Sequence, residues 1–330
     1  MADRQRVIDI VRPGPEGALV LAEQPIPQPR GGEVLIAVHA AGVNGADLKQ
    51  RKGTYPGQER APSVPGLEVS GAIAALGDGV TGWQVGDPAC ALVYGGGYAE
   101  YCVAPAVQCL PVPRGFDFVR AAALPEVVFT VWIAVFEQAR LLPGETLLVH
   151  GGASGIGTMA IQMASVFGSP VIATGRGPDR CATCLEYGAE HAVDTRDGQF
   201  AEAVLARTGG RGVDAVLCMS GGPYLHQNLR VLVPKGRLCF VAADGGRELK
   251  LDVFDISLRN IVMTGVNLRH RSVAEKGRIA DILRARVWPM IERGRIRPAV
   301  GATVPLDRAA EAHALLEGGR VPGKVILKVR

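Results

Sequence analysis

A chain of 330 residues exceeds what one hydrophobic core usually serves, so two domains are expected. With 48% hydrophobic and 21% charged residues it reads as a compact globular protein, which excludes a disordered chain. A formal charge of +4, spread along the sequence, does not by itself imply a polyanionic partner.

The N-terminal segment MADRQRVIDIV is charged and then alternating, where a signal peptide has an unbroken apolar run. The most apolar stretch, 127–136, is shorter than the roughly 20 residues of a membrane helix, and Glu126 and Glu137 bound it. Seven cysteines at irregular spacing make no disulfide framework. A cytoplasmic protein without membrane attachment is expected.

Residues 7–11, 18–21 and 33–40 are β-rich and separated by the turn clusters PGPEG and PIPQPRGG. Segments 67–76, 89–93 and 98–103 continue the pattern, with Gly95-Gly96-Gly97 as a tight connection. Together they predict a mostly antiparallel, barrel-like domain. From Pro125 the texture changes. Apolar strands at 146–149, 171–174, 191–193, 215–219 and 237–241 alternate with helical spacing at 156–167, 179–187, 201–206 and 224–232. Such alternation requires parallel strands joined by helical crossovers, an α/β doubly wound sheet. Residues 261–266 supply a last strand, 274–293 a helix, and 324–329 a strand that can rejoin the first domain. The expected domains are therefore 1–124 with 268–330, and 125–267.

The sharpest local signal is TLLVHGGASGIGTMAIQMASVFG at 146–168. A strand ends in a glycine-rich turn that opens into a helix, which lets backbone N–H groups approach a pyrophosphate at the positive helix end. In the G-x-G-x-x-G frame Gly152 and Gly157 hold the outer positions and Ser154 replaces the central glycine, with Gly155 beside it and Ile156 following. An NAD site places Asp or Glu at the end of the second strand, about 20 residues on. Here that strand runs into Gly175, Arg176 and Gly177, with Arg180 close behind and no carboxylate. Two guanidiniums at that place favour a 2′-phosphate, hence NADPH.

Several blocks in order carry a wider likeness: GVNGADLKQRKGTYP at 42–56, GLEVSGAIAALG at 66–77, VGDPACAL at 85–92, GGGYAEY at 95–101, AAALPEVVFTVW at 121–132 and the glycine-rich segment. The chain resembles the medium-chain dehydrogenase/reductase superfamily, in its quinone oxidoreductase (zeta-crystallin) branch, closest to the p53-inducible quinone oxidoreductase type. The resemblance implies a GroES-like barrel catalytic domain and a Rossmann domain with the active site between them. It implies that Asn44 and Tyr55 line the site, that Thr130 touches the nicotinamide side, and that Arg180 stands where relatives carry a phosphate-binding Lys. Thr195 stands where relatives often carry Tyr beside the adenosine. Relatives commonly pair the last Rossmann strand, here 261–266, which implies a homodimer.

Zinc-dependent members need Cys, His and acidic ligands around one open position. In this chain Asn44 replaces the first Cys, and Gly66-Leu67-Glu68 lacks the histidine of the usual GHE segment. Cys181 and Cys184 form a lone CxxC inside a helix, which reads as packed thiols. No metal site is expected. Without a Lewis acid, hydride addition to a conjugated acceptor is easier than alcohol oxidation, because the product anion is delocalised. The expected activity is zinc-independent NADPH reduction of a quinone or conjugated carbonyl, with Tyr55 and Asn44 as catalytic residues. The alternatives are a 2-enoyl or enone reductase and a non-enzymatic, NADPH-retaining or RNA-binding relative. The basic segments 269–271 and 293–297 give little support to nucleic acid, since Glu275, Asp281 and Glu292 interleave them.

Overall fold

The computed structural model describes residues 3–14, 17–55, 62–319 and 321–330. Pro56, the last residue of the first quoted block, lies outside them. The contacts divide the chain into two units, Met1–Val127 with Arg271–Glu292 and Pro298–Arg330, and Val128–His270 with Arg293–Arg297.

The first unit holds β1 (Arg4–Val11), β2 (Ala18–Pro25), β3 (Glu33–Val43), β4 (Glu68–Leu76), β5 (Pro88–Leu92), β6 (Tyr101–Pro105) and β7 (Cys109–Pro111). The second holds β8 (Leu147–Val149), β9 (Val171–Gly175), β10 (His191–Asp194), β11 (Val213–Cys218), β12 (Leu232–Phe240) and β13 (Val262–Gly265). The chain then returns to the first unit with β14 (Val300–Pro305) and β15 (Lys324–Lys328).

In the first unit β3 is the hub, antiparallel to β4, β6 and β15, with Val325 opposite Val43. The C-terminal strand therefore rejoins the N-terminal sheet, as the sequence suggested, and β14 joins it in parallel. The core is aliphatic, with Val34, Ile36, Val38, Val69, Ile73 and Val325 packed from facing positions. Alternating apolar residues on β3 and β4 put these side chains on one face.

The second unit is a parallel sheet in the order β10-β9-β8-β11-β12-β13. This is the doubly wound 3-2-1-4-5-6 arrangement, whose order reverses between β8 and β11. Strands β8 and β11 are wholly buried and, except for Asp214, which pairs with Arg211, apolar, as a sheet covered on both faces requires.

Three expectations need correction. The helix at 274–293 is two, Val273–Arg286 and Trp288–Glu292; Pro289 has no N–H to continue the ladder. Arg293–Arg297 belongs with the second unit, because Gln162 exchanges hydrogen bonds with the backbone of Arg297 at 2.8 and 2.9 Å. The apolar helical run is longer than 127–136: Phe118–Gln138 has the length and composition of a membrane span, but 78% of its apolar window is buried inside the protein. That burial makes it a core element.

Candidate functional site

The C-terminal ends of β8 to β12 open onto a cavity of about 550 Å³, lined by Gly151, Ser154, Thr174, Arg176, Arg180 and Thr195 and by residues from the ends of β11 and β12. It lies at the strand-order reversal, where parallel sheets bind ligands.

The glycine turn is tight for identifiable reasons. Gly151 has φ +61°, a left-handed conformation that favours glycine. A Cβ on Gly157 would lie 2.3 Å from the Gly151 carbonyl oxygen, and one on Gly152 would lie 2.6 Å from Cys184 Sγ. Ser154, the departure from the glycine frame, is the N-cap of the helix Gly155–Val166, its Oγ accepting the Gly157 N–H at 3.0 Å. Gly155 and Ile156 form the first turn of that helix, whose N–H groups lack intrahelical partners and carry the positive end of the dipole. These N–H groups could hold a phosphate, and a side chain at Gly152 or Gly157 would force the turn apart by striking Cys184 and Ala173 or the Gly151 carbonyl. Beneath it, His150 bridges Thr174 Oγ1 at 3.1 Å and Asn228 Oδ1 at 2.7 Å. Burial lowers its pKa to about 4, so the imidazole stays neutral and ties β8 to β9.

Cys184 is buried against Gly152, and burial pushes its thiol up to about 12. Such a thiol is packing, as its place in the sequence suggested.

Beyond β9 the rim is cationic. Gly175 lies so close to Arg180 that a Cβ would meet its backbone and Cβ at 3.0 Å. Arg176 is exposed and Arg180 half-buried; neither has an ion-pair partner among the described residues. A carboxylate does reach this rim, from β10. The β9–β10 register sets Asp194 opposite Gly175. Asp194 accepts the Gly177 N–H at 2.8 Å and the Arg196 Nε–H at 2.8 Å. The Gly177 bond, and then Arg196, hold its carboxyl below the usual range. The acid is thus engaged by the turn and by a third arginine, which the linear sequence did not single out. Thr195, 5% exposed, bonds through its N–H to the Gly175 carbonyl at 2.9 Å and is too short to offer a ring.

Asn44 and Tyr55 belong to the first unit, and Thr130 to the second with the glycines and arginines. Asn44 caps the helix Gly45–Arg51, with its backbone N–H on Asp47 Oδ2 at 2.8 Å. Its amide is fully engaged: Nδ2 donates to Glu68 Oε1 at 3.0 Å, and Oδ1 accepts from Lys324 Nζ. Lys324 also pairs with Glu68, both being 5% or less exposed. Glu68 reaches this place past Gly42, where a Cβ would overlap its carboxylate. Its other oxygen accepts the Glu126 N–H at 2.8 Å. Tyr55 is half-buried and stands just before residues 56–61. Thr130, in the helix Pro125–Val131, is 3% exposed.

Residues 30–114 match the alcohol dehydrogenase GroES-like domain, and residues 155–283 match the family described as zinc-binding dehydrogenase. The chain is 32% identical to the quinone oxidoreductase of Rattus norvegicus, over 99% of both chains. A mycobacterial protein solved in complex with NADPH is 32% identical, with a TM-score of 0.89 over 98% of this chain and all of that one. A structure described as an NAD-dependent alcohol dehydrogenase is 31% identical, with a TM-score of 0.87 over 99% of this chain and all of that one. Sheet order, glycine turn and full-length likeness together define a nicotinamide-dependent oxidoreductase with a GroES-like and a Rossmann domain. The chain belongs to the medium-chain dehydrogenase/reductase superfamily, in its quinone oxidoreductase branch.

The zinc in the family's description does not fit here. Where a metal would need converging anionic ligands, an ammonium already sits: Lys324 Nζ faces Glu68 Oε1 and Asn44 Oδ1, and Leu67 contributes only a buried apolar side chain. Among the described residues no group of three or more His, Cys, Asp or Glu converges elsewhere.

Proposed function

We propose that this protein is a zinc-independent NADPH:quinone reductase that passes hydride to a quinone or a related conjugated carbonyl. The observation that carries the cofactor choice is the arginine rim, Arg176 and Arg180 without acidic partners among the described residues and Arg196 anchored beside them. Guanidiniums match a 2′-phosphate, whereas a ribose 2′-hydroxyl calls for a free carboxylate. When bound, the coenzyme supplies a hydride; the chain's residues bind it, orient the acceptor and meet the charge that develops on the acceptor oxygen. In this reading Tyr55 donates a hydrogen bond to that oxygen and Asn44, held rigid by Glu68 and Lys324, lines the pocket. Thr130 contacts the nicotinamide.

NADPH oxidation followed side by side with 1,4-naphthoquinone and with a 2-enoyl thioester tests the substrate assignment. The quinone is expected to turn over at least about tenfold faster; the reverse order would make the protein an enoyl reductase.

The proposed assembly is a homodimer through β13, which among the described residues is an edge strand bonded to β12 alone. Phe254 and Leu258, 75% and 78% exposed, and the half-exposed Val262 are the apolar surface such pairing would cover. Phe254→Asp with Val262→Lys should yield a monomer in sedimentation; an unchanged mass would remove this interface. The proposed setting is the cytoplasm, which the seven free cysteines support. Against a nucleic-acid partner, Arg297 is paired with Glu186, and Arg271 with Glu275.

A further inference from the structure

We propose that Glu126 is the acid that delivers a proton to the acceptor oxygen as hydride enters the conjugated system; this rests on the reductase reading above. Glu126 stands in the first turn of the helix Pro125–Val131, its backbone N–H fixed on Glu68 Oε2 at 2.8 Å. The same Glu68 holds the Asn44 amide through its other oxygen, so Glu126 is anchored within one carboxylate of a residue assigned to the acceptor pocket. Unlike its neighbours, the Glu126 carboxyl makes no hydrogen bond or ion pair among the described residues, and the residue as a whole is half-buried. Every other acid in this cluster is engaged: Asp47 by the Asn44 and Gly66 N–H groups and the Tyr98 hydroxyl, Glu68 by Lys324.

The charges facing Glu126 come from four elements. Glu68 on β4 and Asp47 on the helix Gly45–Arg51 oppose its ionisation, while Lys324 on β15 and Lys276 on the helix Val273–Arg286 favour it. Burial is the largest influence, the Glu68 charge adds to it, and together they push the carboxyl up to about 8 against the two lysines. At neutral pH it therefore carries a proton. A phenol such as Tyr55 ordinarily releases its proton near pH ~10, further from the operating pH.

The step balances. The hydride would bring its electron pair into a new C–H bond on the acceptor, and the displaced π pair of the conjugated system would end as charge on the acceptor oxygen. The Glu126 O–H bond breaks, the acceptor oxygen takes the proton, and the remaining carboxylate is reprotonated from water. The nicotinamide is oxidised and the acceptor reduced.

Two measurements test this, one without turnover. In the infrared difference spectrum of native protein minus Glu126→Gln, without coenzyme, a protonated-carboxyl band is expected at neutral pH, giving way to a carboxylate band as pH rises through about 8. Its absence overturns the proposal whatever the activity. With 1,4-naphthoquinone, native turnover should fall as pH rises through the same value. Glu126→Gln should lower it about 10²-fold and erase that pH limb, Glu126→Asp should keep a displaced limb, and Tyr55→Phe should leave the limb in place. An active native protein whose Gln variant keeps the same limb overturns the role of Glu126 alone. A native protein inactive with every quinone and enone overturns the reductase reading and this proposal with it.

Discussion

Lys324→Met is expected to destabilise the first unit by about 3–5 kcal/mol, measured by denaturant unfolding. The reason is burial. Lys324 and Glu68 are 5% and 0% exposed, and the ammonium also bonds the Val43 carbonyl at 3.2 Å and the Asn44 amide oxygen. Removing the cation leaves Glu68 buried against one amide and one backbone N–H, a charge with no compensation. Adding Glu68→Gln should recover much of the loss, since the uncompensated charge disappears with it. A Lys324→Met protein with native stability would show that the pair is an incidental contact.

The second large effect is on the coenzyme. Arg176→Ala with Arg180→Ala should weaken NADPH binding about 10- to 100-fold while leaving NADH nearly unchanged. Charged hydrogen bonds of this kind contribute about 1.5–3 kcal/mol each, reduced here because Arg176 is exposed and screened. Arg196→Ala should do less to the phosphate contact, because its guanidinium is held by Asp194. Equal losses for NADH and NADPH would place the arginines on the pyrophosphate or outside the site.

The parts of this site carried by local sequence were legible, and those carried by pairing were not. A strand, a glycine turn and a helix announce themselves within about twenty residues, because Gly157 meets the backbone of Gly151 and Gly152 within the same turn. Ser154 reads as a flaw in the motif until its Oγ is seen to cap the helix. Asp194 and Arg196 reach the rim only because β10 pairs with β9, a register the linear sequence does not print. Lys324 meets Asn44 across 280 positions of chain, through the return of β15 to β3. Glu126 looked like the polar boundary of an apolar run, because its surroundings come from four other elements. The short elements β7, β14, Val253–Arg259 and Ala309–Glu317 also escaped prediction. Few residues span each, so periodicity has little to act on.

Calorimetric titration with NADPH and NADH, on protein dialysed against EDTA, tests the central reading most directly. NADPH should bind at one site per chain, at least tenfold tighter than NADH, with the chelator making no difference. No NADPH binding, or binding that returns only when zinc is restored, would contradict it.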